Sequence, residues 1–218
     1  MIKLVIVDFD DTLSLTEESC FNFENYVAEK MGFPPMTREF HQKNWGKPLR
    51  GAIVERIPGI DSDKFMELVK ELLPDFVDRN AIDNISPANR DTLKIIKESG
   101  RSLAILTSRS RNEIAHLMDE KYHLHKLIER FYHYDNVDFP KPDPRVFDEV
   151  LKYFDVVPDE ALYIGDTVND GVCAKGAGLH FIALLESGLR KREDFHSIQV
   201  DFFANTFPDI VNYIDTAE

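Results

Sequence analysis

Short apolar runs that recur along the chain place the strongest constraint on its fold. The first, "KLVIVD" at residues 3–8, has four consecutive apolar residues, which is typical of a strand buried on both faces in a parallel sheet. Similar runs predict strands at residues 102–108, 161–166 and 180–185. Weaker runs predict a strand at residues 130–134 and an edge strand at residues 200–204. Most of the chain is therefore expected to fold around one parallel sheet.

Helical patterns lie between these runs. In "SPANRDTLKIIKESG", Ser86 is the expected N-cap, Pro87 the first helical residue and Gly100 the residue past the end. In "DPRVFDEVLKYFD", the apolar residues that share one helix face are Val146, Phe147, Val150, Leu151 and Phe154. The alternation of strands and helices predicts an α/β fold with a doubly wound, Rossmann-like parallel sheet.

Residues 16–84 differ from the rest because they contain no convincing strand pattern. Helical patterns occur there, separated by "GFPPM", "GKP" and "PGID". We therefore expect an all-helical insertion directly after the first strand, with hinges near residues 14–16 and 80–87. The predicted domains are an α/β core of residues 1–15 and 85–218 and a helical domain of residues 16–84.

The composition of the chain limits its partners. The 39 acidic and 26 basic residues give a formal net charge of −13, which argues against a broad nucleic-acid surface. No apolar run approaches the ~18 residues that cross a bilayer. Neither Cys20 nor Cys173 has a partner at CxxC spacing. We expect a cytoplasmic monomer or homodimer that binds neither nucleic acid nor membranes.

Polar side chains collect where the predicted strands end, and ligands of parallel sheets bind at that edge. The residues delivered there are Asp8, Asp10, Asp11 and Thr12, then Thr107, Ser108 and Arg109, then Lys141, and finally Asp166, Thr167, Asn169 and Asp170. Two carboxylates ~4 Å apart repel each other by about 4 kcal/mol at an effective dielectric constant near ~20. Positive charge must therefore offset the repulsion among these aspartates.

The type of ligand at this edge favours Mg²⁺ as the source of that charge. A few carboxylate oxygens, with room left for water and a phosphate, fit Mg²⁺ better than a Ca²⁺ site formed wholly by protein ligands. With Mg²⁺ and Lys141 present, the edge would attract a phosphate group. A phosphate group is therefore an expected ligand of this edge.

Four ordered motifs, "DFDDT", "LTS", "KPDP" and "GDTVND", resemble those of the haloacid dehalogenase-like phosphohydrolases. The helical insertion after the first motif is similar to the C1 cap of that superfamily. The stretch "CAKGAGLHFIALLESG" resembles the helix, turn and strand that follow the fourth motif in phosphoglycolate-phosphatase-like members. The resemblance spans nearly the whole chain and implies a Mg²⁺-dependent phosphatase that acts on a small phosphomonoester.

The resemblance also implies a role for each matching residue. Asp8 would be the nucleophile that forms an aspartyl-phosphate, and Asp10 would be the general acid and base. Thr12 would position the loop, while Thr107 and Lys141 would bind and neutralise the phosphoryl oxygens. The implied ligands of Mg²⁺ are Asp8, the backbone carbonyl of Asp10, Asp166 and Asp170.

Further residues are candidates to bind the substrate. In the resemblance, "WGKPLR" occupies the place of a cap loop that reaches over the site, which makes Gly46, Lys47 and Arg50 candidates. The alternative is that Lys47 and Arg50 are solvated charges at the start of a helix. Ser108 and Arg109 follow the second motif, where Arg109 could contact substrate or cap the next helix.

The motifs also discriminate among functions. Asp10 favours phosphoester substrates, because halide release in dehalogenases needs no proton donor. Asp11 is expected to serve a tight turn. Leu15 departs from many phosphoglycolate-phosphatase-like members, which have an acidic residue there, and weakens any inference about the substrate.

The alternative function is a sugar phosphomutase of the β-phosphoglucomutase type, but Gly165 stands where that enzyme typically has glutamate.

Overall fold

One parallel sheet organises the molecule, and a computed structural model describes residues 1–216 of the chain. The strand order is β3-β2-β1-β4-β5-β6, and every neighbouring pair is parallel. The strands are β1 (Leu4–Val7), β2 (Ser102–Leu106), β3 (Arg130–Tyr132), β4 (Ala161–Gly165), β5 (His180–Leu184) and β6 (Phe202–Ala204). The predicted α/β fold is confirmed, including both weak strands.

The central strand β1 shows why the apolar runs are continuous. Leu4 pairs with Ser102 on one side and with Ala161 on the other, so β1 lies in the middle of the sheet. Val5 and Val7 pack into the apolar cluster on one face, and Leu4 and Ile6 pack into the cluster on the other face. Both faces of the strand are therefore buried, as its sequence predicts.

Helices cover both faces of the sheet. Within residues 1–216 they are α1 (Glu17–Lys30), α2 (Arg38–Lys43), α3 (Leu49–Arg56), α4 (Ser62–Asp78), α5 (Pro87–Glu98), α6 (Arg111–Ile114), α7 (Val146–Phe154), α8 (Val168–Gly176) and α9 (Ile210–Thr216). Helices α5, α6 and α9 contribute to one apolar cluster, and α7 and α8 contribute to the other. The Ser86 hydroxyl accepts from the Asn89 N–H and begins α5 as predicted. None of the helices described within residues 1–216 has the length and apolarity to cross a bilayer.

Helices α1–α4 form a separate unit, which we call the helical insertion. They follow β1 in the chain and pack around their own apolar cluster, which includes Phe23, Val27, Ile53, Phe65 and Val69. This core is distinct from the two clusters that cover the sheet. The insertion lies within the predicted domain of residues 16–84, and the domain boundaries themselves stay a prediction.

The two segments that join the insertion to the sheet run side by side. The Ser14 hydroxyl donates to the backbone oxygen of Asn84 at 3.1 Å. The Asn89 side chain donates to the backbone oxygen of Leu13 at 2.9 Å. Asp83, in the second segment, has a φ of 59°, in the left-handed region. The insertion therefore enters and leaves the core at adjacent points.

Candidate active site

Asp8 lies at the carboxyl end of the central strand and is 6% exposed. Its N–H continues the ladder by donating to the backbone oxygen of Ile164 at 2.9 Å. Its Oδ1 accepts from the N–H of Phe9 at 2.7 Å. The strand and the following turn therefore fix the Asp8 carboxylate at the edge predicted for the ligand.

Two further carboxylates meet Asp8 at this edge. One carboxylate oxygen from each of Asp8, Asp166 and Asp170 lies within 4.8 Å of the others, and all three residues are buried. Asp166 follows β4 directly, and Asp170 is in the first turn of α8. The N–H and hydroxyl of Thr167 donate to Asp170 Oδ2 at 3.0 and 2.5 Å. The fourth motif therefore folds as a helix cap that holds one carboxylate in place.

Lys141 reaches the same carboxylates from the segment after β3. Its Nζ lies 3.0 Å from Asp8 Oδ2 and 2.8 Å from Asp170 Oδ1. It also donates to the Tyr163 hydroxyl at 2.9 Å. The sequence did not predict Tyr163 as a site residue. A tyrosine within an apolar strand could have indicated it, since a buried Tyr hydroxyl needs a hydrogen-bond partner.

The electrostatics of the cluster are dominated by burial. Burial, with the nearby Asp170 and Asp10, raises the pKa of Asp8 to about 7, although Lys141 opposes the shift. Burial and the Asp170 and Asp8 carboxylates raise the pKa of Asp166 well above its usual range. Burial disfavours the charge of Lys141, but Asp170 and Asp8 raise its pKa. The negative charge of this cluster exceeds what one lysine offsets.

The residues present fit a divalent cation. Three buried carboxylates offer hard oxygen ligands, and burial together with their mutual repulsion raises the pKa values of Asp8 and Asp166, which a bound cation would counteract. The side chain of Asp10 is not a member of this cluster. Its backbone carbonyl, which is the ligand that the resemblance implies, therefore stays a prediction.

Asp10 contacts Arg109 instead. Arg109 Nη2 donates to Asp10 Oδ1 at 2.5 Å and Nε donates to Oδ2 at 2.9 Å, while the Thr16 hydroxyl also donates to Oδ1 at 2.5 Å. Arg109 Nη1 donates to Asp83 Oδ2 at 2.8 Å. Each guanidinium nitrogen therefore donates to a protein carboxylate. In this structure Arg109 links Asp10 to the second joining segment, an arrangement that neither sequence-based alternative for Arg109 included.

The remaining predicted residues of the core also lie at this edge. The Thr12 hydroxyl is 3.5 Å from Asp166 Oδ1. Thr107 is 3% exposed, and its hydroxyl accepts from the N–H of Arg109 at 3.2 Å. Ser108 lines the cavity above Asp8, which has a volume of about 270 Å³ and opens to solvent. The predicted core residues are thus brought together by the ends of β1, β2 and β4.

The predicted residues of the insertion divide into two groups. Gly46 and Lys47 line the cavity above Asp8, together with Trp45, which the sequence did not predict as a site residue. Lys47 Nζ also lies 3.3 Å from Glu55 Oε2. Arg50 lies outside that cavity and pairs with Asp63 on the exposed surface of the insertion. Arg50 instead lines an adjacent pocket, which it shares with Lys47 and Ser108, so its role in binding substrate stays a prediction.

The fold and this edge define an α/β enzyme that receives its ligand where the parallel strands end. The chain belongs to the haloacid dehalogenase-like hydrolase family, whose model matches residues 5–184. The matched segment contains the four motifs and the helical insertion. The resemblance found in the motifs is thereby confirmed.

Relatives of known activity agree with this family. The chain is 28% identical over 192 residues to phosphoglycolate phosphatase 1 of Pseudomonas aeruginosa, covering 84% of this chain and 69% of that protein. It is 27% identical over 200 residues to the phosphorylated carbohydrates phosphatase of Thermotoga maritima, covering 86% and 92%. The crystal structure of CbbY from Rhodobacter sphaeroides in complex with phosphate matches with a TM-score of 0.82 at 22% identity, covering 96% of each chain. The predicted enzyme class, a haloacid dehalogenase-like phosphatase, is confirmed.

Proposed function

We propose that this enzyme is a Mg²⁺-dependent phosphatase that hydrolyses a small phosphomonoester through an aspartyl-phosphate on Asp8. The main observation in support is the position of Asp8, buried at the end of β1 with Lys141 at 3.0 Å and two more carboxylates beside it. A nucleophile for phosphorus needs a fixed position and compensation of its charge. The end of β1 fixes the position of Asp8, Lys141 offsets part of its charge, and a bound divalent cation would offset the rest.

The chemistry follows from these contacts. An Asp8 oxygen attacks phosphorus in line with the leaving oxygen, so one P–O bond forms while the other breaks. Lys141 neutralises charge on the phosphoryl oxygens, and the Thr107 hydroxyl donates to one of them. Asp8, Asp166 and Asp170 would hold Mg²⁺, which when bound supplies positive charge for the phosphoryl group. Water then hydrolyses the aspartyl-phosphate and regenerates Asp8.

Asp10 is the proposed proton donor to the leaving oxygen and the base for the attacking water. In the present arrangement its carboxylate accepts from Arg109 and Thr16. Proton transfer requires the side chain to leave part of these contacts and turn toward the leaving group. Arg109 is then a residue that sets the resting orientation of Asp10.

The helical insertion is the proposed cap that selects the substrate. Trp45, Gly46 and Lys47 line the cavity above Asp8, so they are placed to contact the leaving group. Lys47 is the proposed contact for an anionic or hydroxylated leaving group. The similar phosphatases act, by their names, on phosphoglycolate and on phosphorylated carbohydrates. A short phosphorylated acid or sugar is therefore the proposed metabolite, and the cytoplasmic location and the oligomeric state stay predictions.

Gly165 favours a phosphatase over a phosphomutase. A Cβ built on Gly165 would lie 2.6 Å from both Cβ and Cγ of Asp170. A glutamate at this position, as in the β-phosphoglucomutase pattern, would require Asp170 to move. The site therefore does not accommodate the phosphomutase pattern, which supports the phosphatase proposal.

Asp8→Asn tests the proposal. The substitution removes the nucleophilic oxygen and should lower phosphate release from p-nitrophenyl phosphate by more than ~10³-fold, as expected on loss of a catalytic nucleophile. Asp159→Asn makes the same chemical change at a side chain that is 91% exposed, and should retain wild-type turnover. Circular dichroism verifies that both variants fold. Undiminished turnover by folded Asp8→Asn would refute the nucleophile assignment.

A screen of phosphorylated metabolites then separates the two candidate functions. A phosphatase releases inorganic phosphate from its substrate in each turnover. A mutase isomerises a sugar phosphate with little phosphate release. Sugar isomerisation without phosphate release would therefore reject the phosphatase proposal.

A further inference from the structure

Asp11 contacts two parts of the helical insertion. It is 2% exposed and has a φ of 50°, so it occupies the tight turn expected from the sequence. Its Oδ1 accepts from the N–H groups of Thr16 and Glu17 at 3.0 and 3.3 Å, at the start of α1. One carboxylate oxygen is therefore sufficient for the turn and the helix start.

The second oxygen of Asp11 has a different partner. Oδ2 accepts from the indole N–H of Trp45 at 2.5 Å, across 34 positions of sequence. The indole also packs against His41, with ring centroids 4.8 Å apart. This contact joins the loop after β1 to the segment before α3, so it links the core to the part of the insertion between α2 and α3.

The residue after Trp45 also approaches the core closely. Gly46 has a φ of 89°, and a Cβ there would lie 3.5 Å from Cγ2 of Thr167, in the fourth motif. Trp45, Gly46 and Lys47 all line the cavity above Asp8. The segment of residues 45–47 is thus placed between Asp11 on one side and Thr167 on the other.

We propose that Asp11 is a positioning residue that docks the segment of residues 45–47 over the Asp8 site. This inference rests on the proposed function, because the segment closes the cavity that we assign to the substrate. Asp11 contacts neither the phosphoryl group nor the leaving group. It acts through Trp45, by holding the indole N–H with a buried carboxylate, which is a strong acceptor.

Two substitutions remove this hydrogen bond from opposite sides. Asp11→Asn keeps an oxygen for the N–H groups of Thr16 and Glu17 but turns an amide NH₂ toward the Trp45 N–H. Trp45→Phe keeps an aromatic ring and removes the donor. If the bond docks the segment, each variant should lower kcat/KM for p-nitrophenyl phosphate by about 10-fold, and the double variant by about 10-fold rather than ~100-fold. Independent losses that multiply, or unaffected single variants, would overturn the proposal.

Intrinsic fluorescence gives a readout that does not depend on activity. Trp45 is the only tryptophan in the chain, so its emission reports on the docked segment directly. Asp11→Asn should raise the acrylamide quenching constant at least twofold, because the indole is released toward solvent. Asp61→Asn, at an aspartate that caps α4 in the same insertion, should leave the constant unchanged. Unchanged quenching in folded Asp11→Asn would refute the docking role.

The two proposals fail in different ways. Turnover by folded Asp8→Asn would refute the nucleophile assignment and would not change the fluorescence result. Unchanged quenching in folded Asp11→Asn, together with an inactive Asp8→Asn, would refute the docking role alone. If Asp11→Asn does not fold, Trp45→Phe still decides the question, because full activity in that variant would refute docking through the indole N–H.

Discussion

At the scale of single residues, Gly165 determines where a neighbouring carboxylate can lie. Its backbone does not have a positive φ, so conformational freedom is not the reason for a glycine here. The reason is space, since an added Cβ would lie 2.6 Å from Cβ and Cγ of Asp170 and 2.8 Å from Oδ2. Asp170 in turn contacts Lys141 and Tyr163. The absence of one methyl group therefore sets the geometry of the cluster.

Gly165→Ala should displace Asp170 and lower phosphate release by at least ~10-fold, the scale of misplacing a group that supports catalysis. The measurement is kcat with p-nitrophenyl phosphate at saturating Mg²⁺. Gly51→Ala is the matched control, because an added Cβ there meets nothing within 4 Å. It lies in α3, where alanine is favoured over glycine by roughly 0.5–1 kcal/mol, so this variant should be active and no less stable. Equal activity of the two variants would contradict the steric argument.

At the scale of elements, helix α1 buries charge where an amphipathic helix usually buries apolar residues. Glu24 is 3% exposed, and its Oε2 accepts from Arg56 Nη1 at 2.5 Å. Its other oxygen lies 3.4 Å from Nε2 of the fully buried His41. Burial alone would raise the pKa of Glu24, but the contacts with His41 and Arg56 lower it. The insertion is therefore held together partly by a buried network of polar and charged side chains that joins α1, α2 and α3.

Glu24→Gln tests this network through its dependence on pH. Because the folded-state pKa lies below the ordinary value of 4.5, the stabilisation by Glu24 is present above about pH 4.5 and is lost as the pH falls. Removing the carboxylate leaves Arg56 buried without its partner, which should cost about 3–5 kcal/mol at pH 7. Urea unfolding at pH 7 and at pH 3.5 should also show a smaller acid loss for the variant than for the wild type.

The control for this test lies on the same helix. Glu18 is 74% exposed, and Glu18→Gln should unfold like the wild type at both pH values. If Glu24→Gln matched Glu18→Gln, the buried network would have no role in stability. Both variants remove one negative charge from α1, so the difference between them measures the contribution of the buried network to stability.

Patterns local to one element were predictable, and so was the meeting of strand ends at one edge of the sheet, but the side-chain contacts between the insertion and the core were not. Strand β1 reads as buried on both faces because its apolar residues are consecutive, and Ser86 marks the start of α5 by its capping chemistry. Asp8 and Lys141 were placed together because strand ends converge at one edge. By contrast, no periodicity indicates that Trp45 contacts Asp11. That contact depends on how the insertion packs on the core, which side-chain packing decides.

The burial of charged side chains could not be predicted from the sequence for a related reason. Glu24 and Arg56 look like surface residues of amphipathic helices, because composition does not distinguish a paired buried charge from a solvated one. Arg109 followed a recognised motif and was expected near substrate or at a helix start. Its actual partners, Asp10 and Asp83, come from two separate segments, one of which has no regular pattern.

At the scale of the whole molecule, the acidic edge should couple cation binding to folding. The chain has a formal net charge of −13, and three buried carboxylates meet at one point. The pKa of Asp8 is raised from the ordinary aspartate value of 3.8 to about 7. The metal-free folded state therefore loses stability as the pH rises from about 3.8 to about 7. A bound divalent cation would offset that loss.

Mg²⁺ should therefore raise the melting temperature. At ~100 times its dissociation constant it would stabilise the folded state by about 2.7 kcal/mol, or roughly 5–10 °C for a chain of this length. The increase should be larger at pH 8 than at pH 6, because protons compete with the cation for Asp8. Differential scanning fluorimetry with Mg²⁺ or EDTA measures it, and Asp170→Asn should reduce it. Equal melting temperatures with and without Mg²⁺ at pH 8 would reject the metal site.

The side-by-side joining segments have a consequence for how such enzymes diversify. The Ser14 hydroxyl lies 3.1 Å from the backbone oxygen of Asn84, so the helical insertion is a long loop whose two ends are in contact at the sheet. A replacement of different length would leave the strand order and register alone, and each doubling of its length would add only about 0.6 kcal/mol of closure entropy. Gene segments that encode new insertions could therefore be exchanged at this point. The catalytic edge would be inherited unchanged while the part proposed to choose the substrate is replaced.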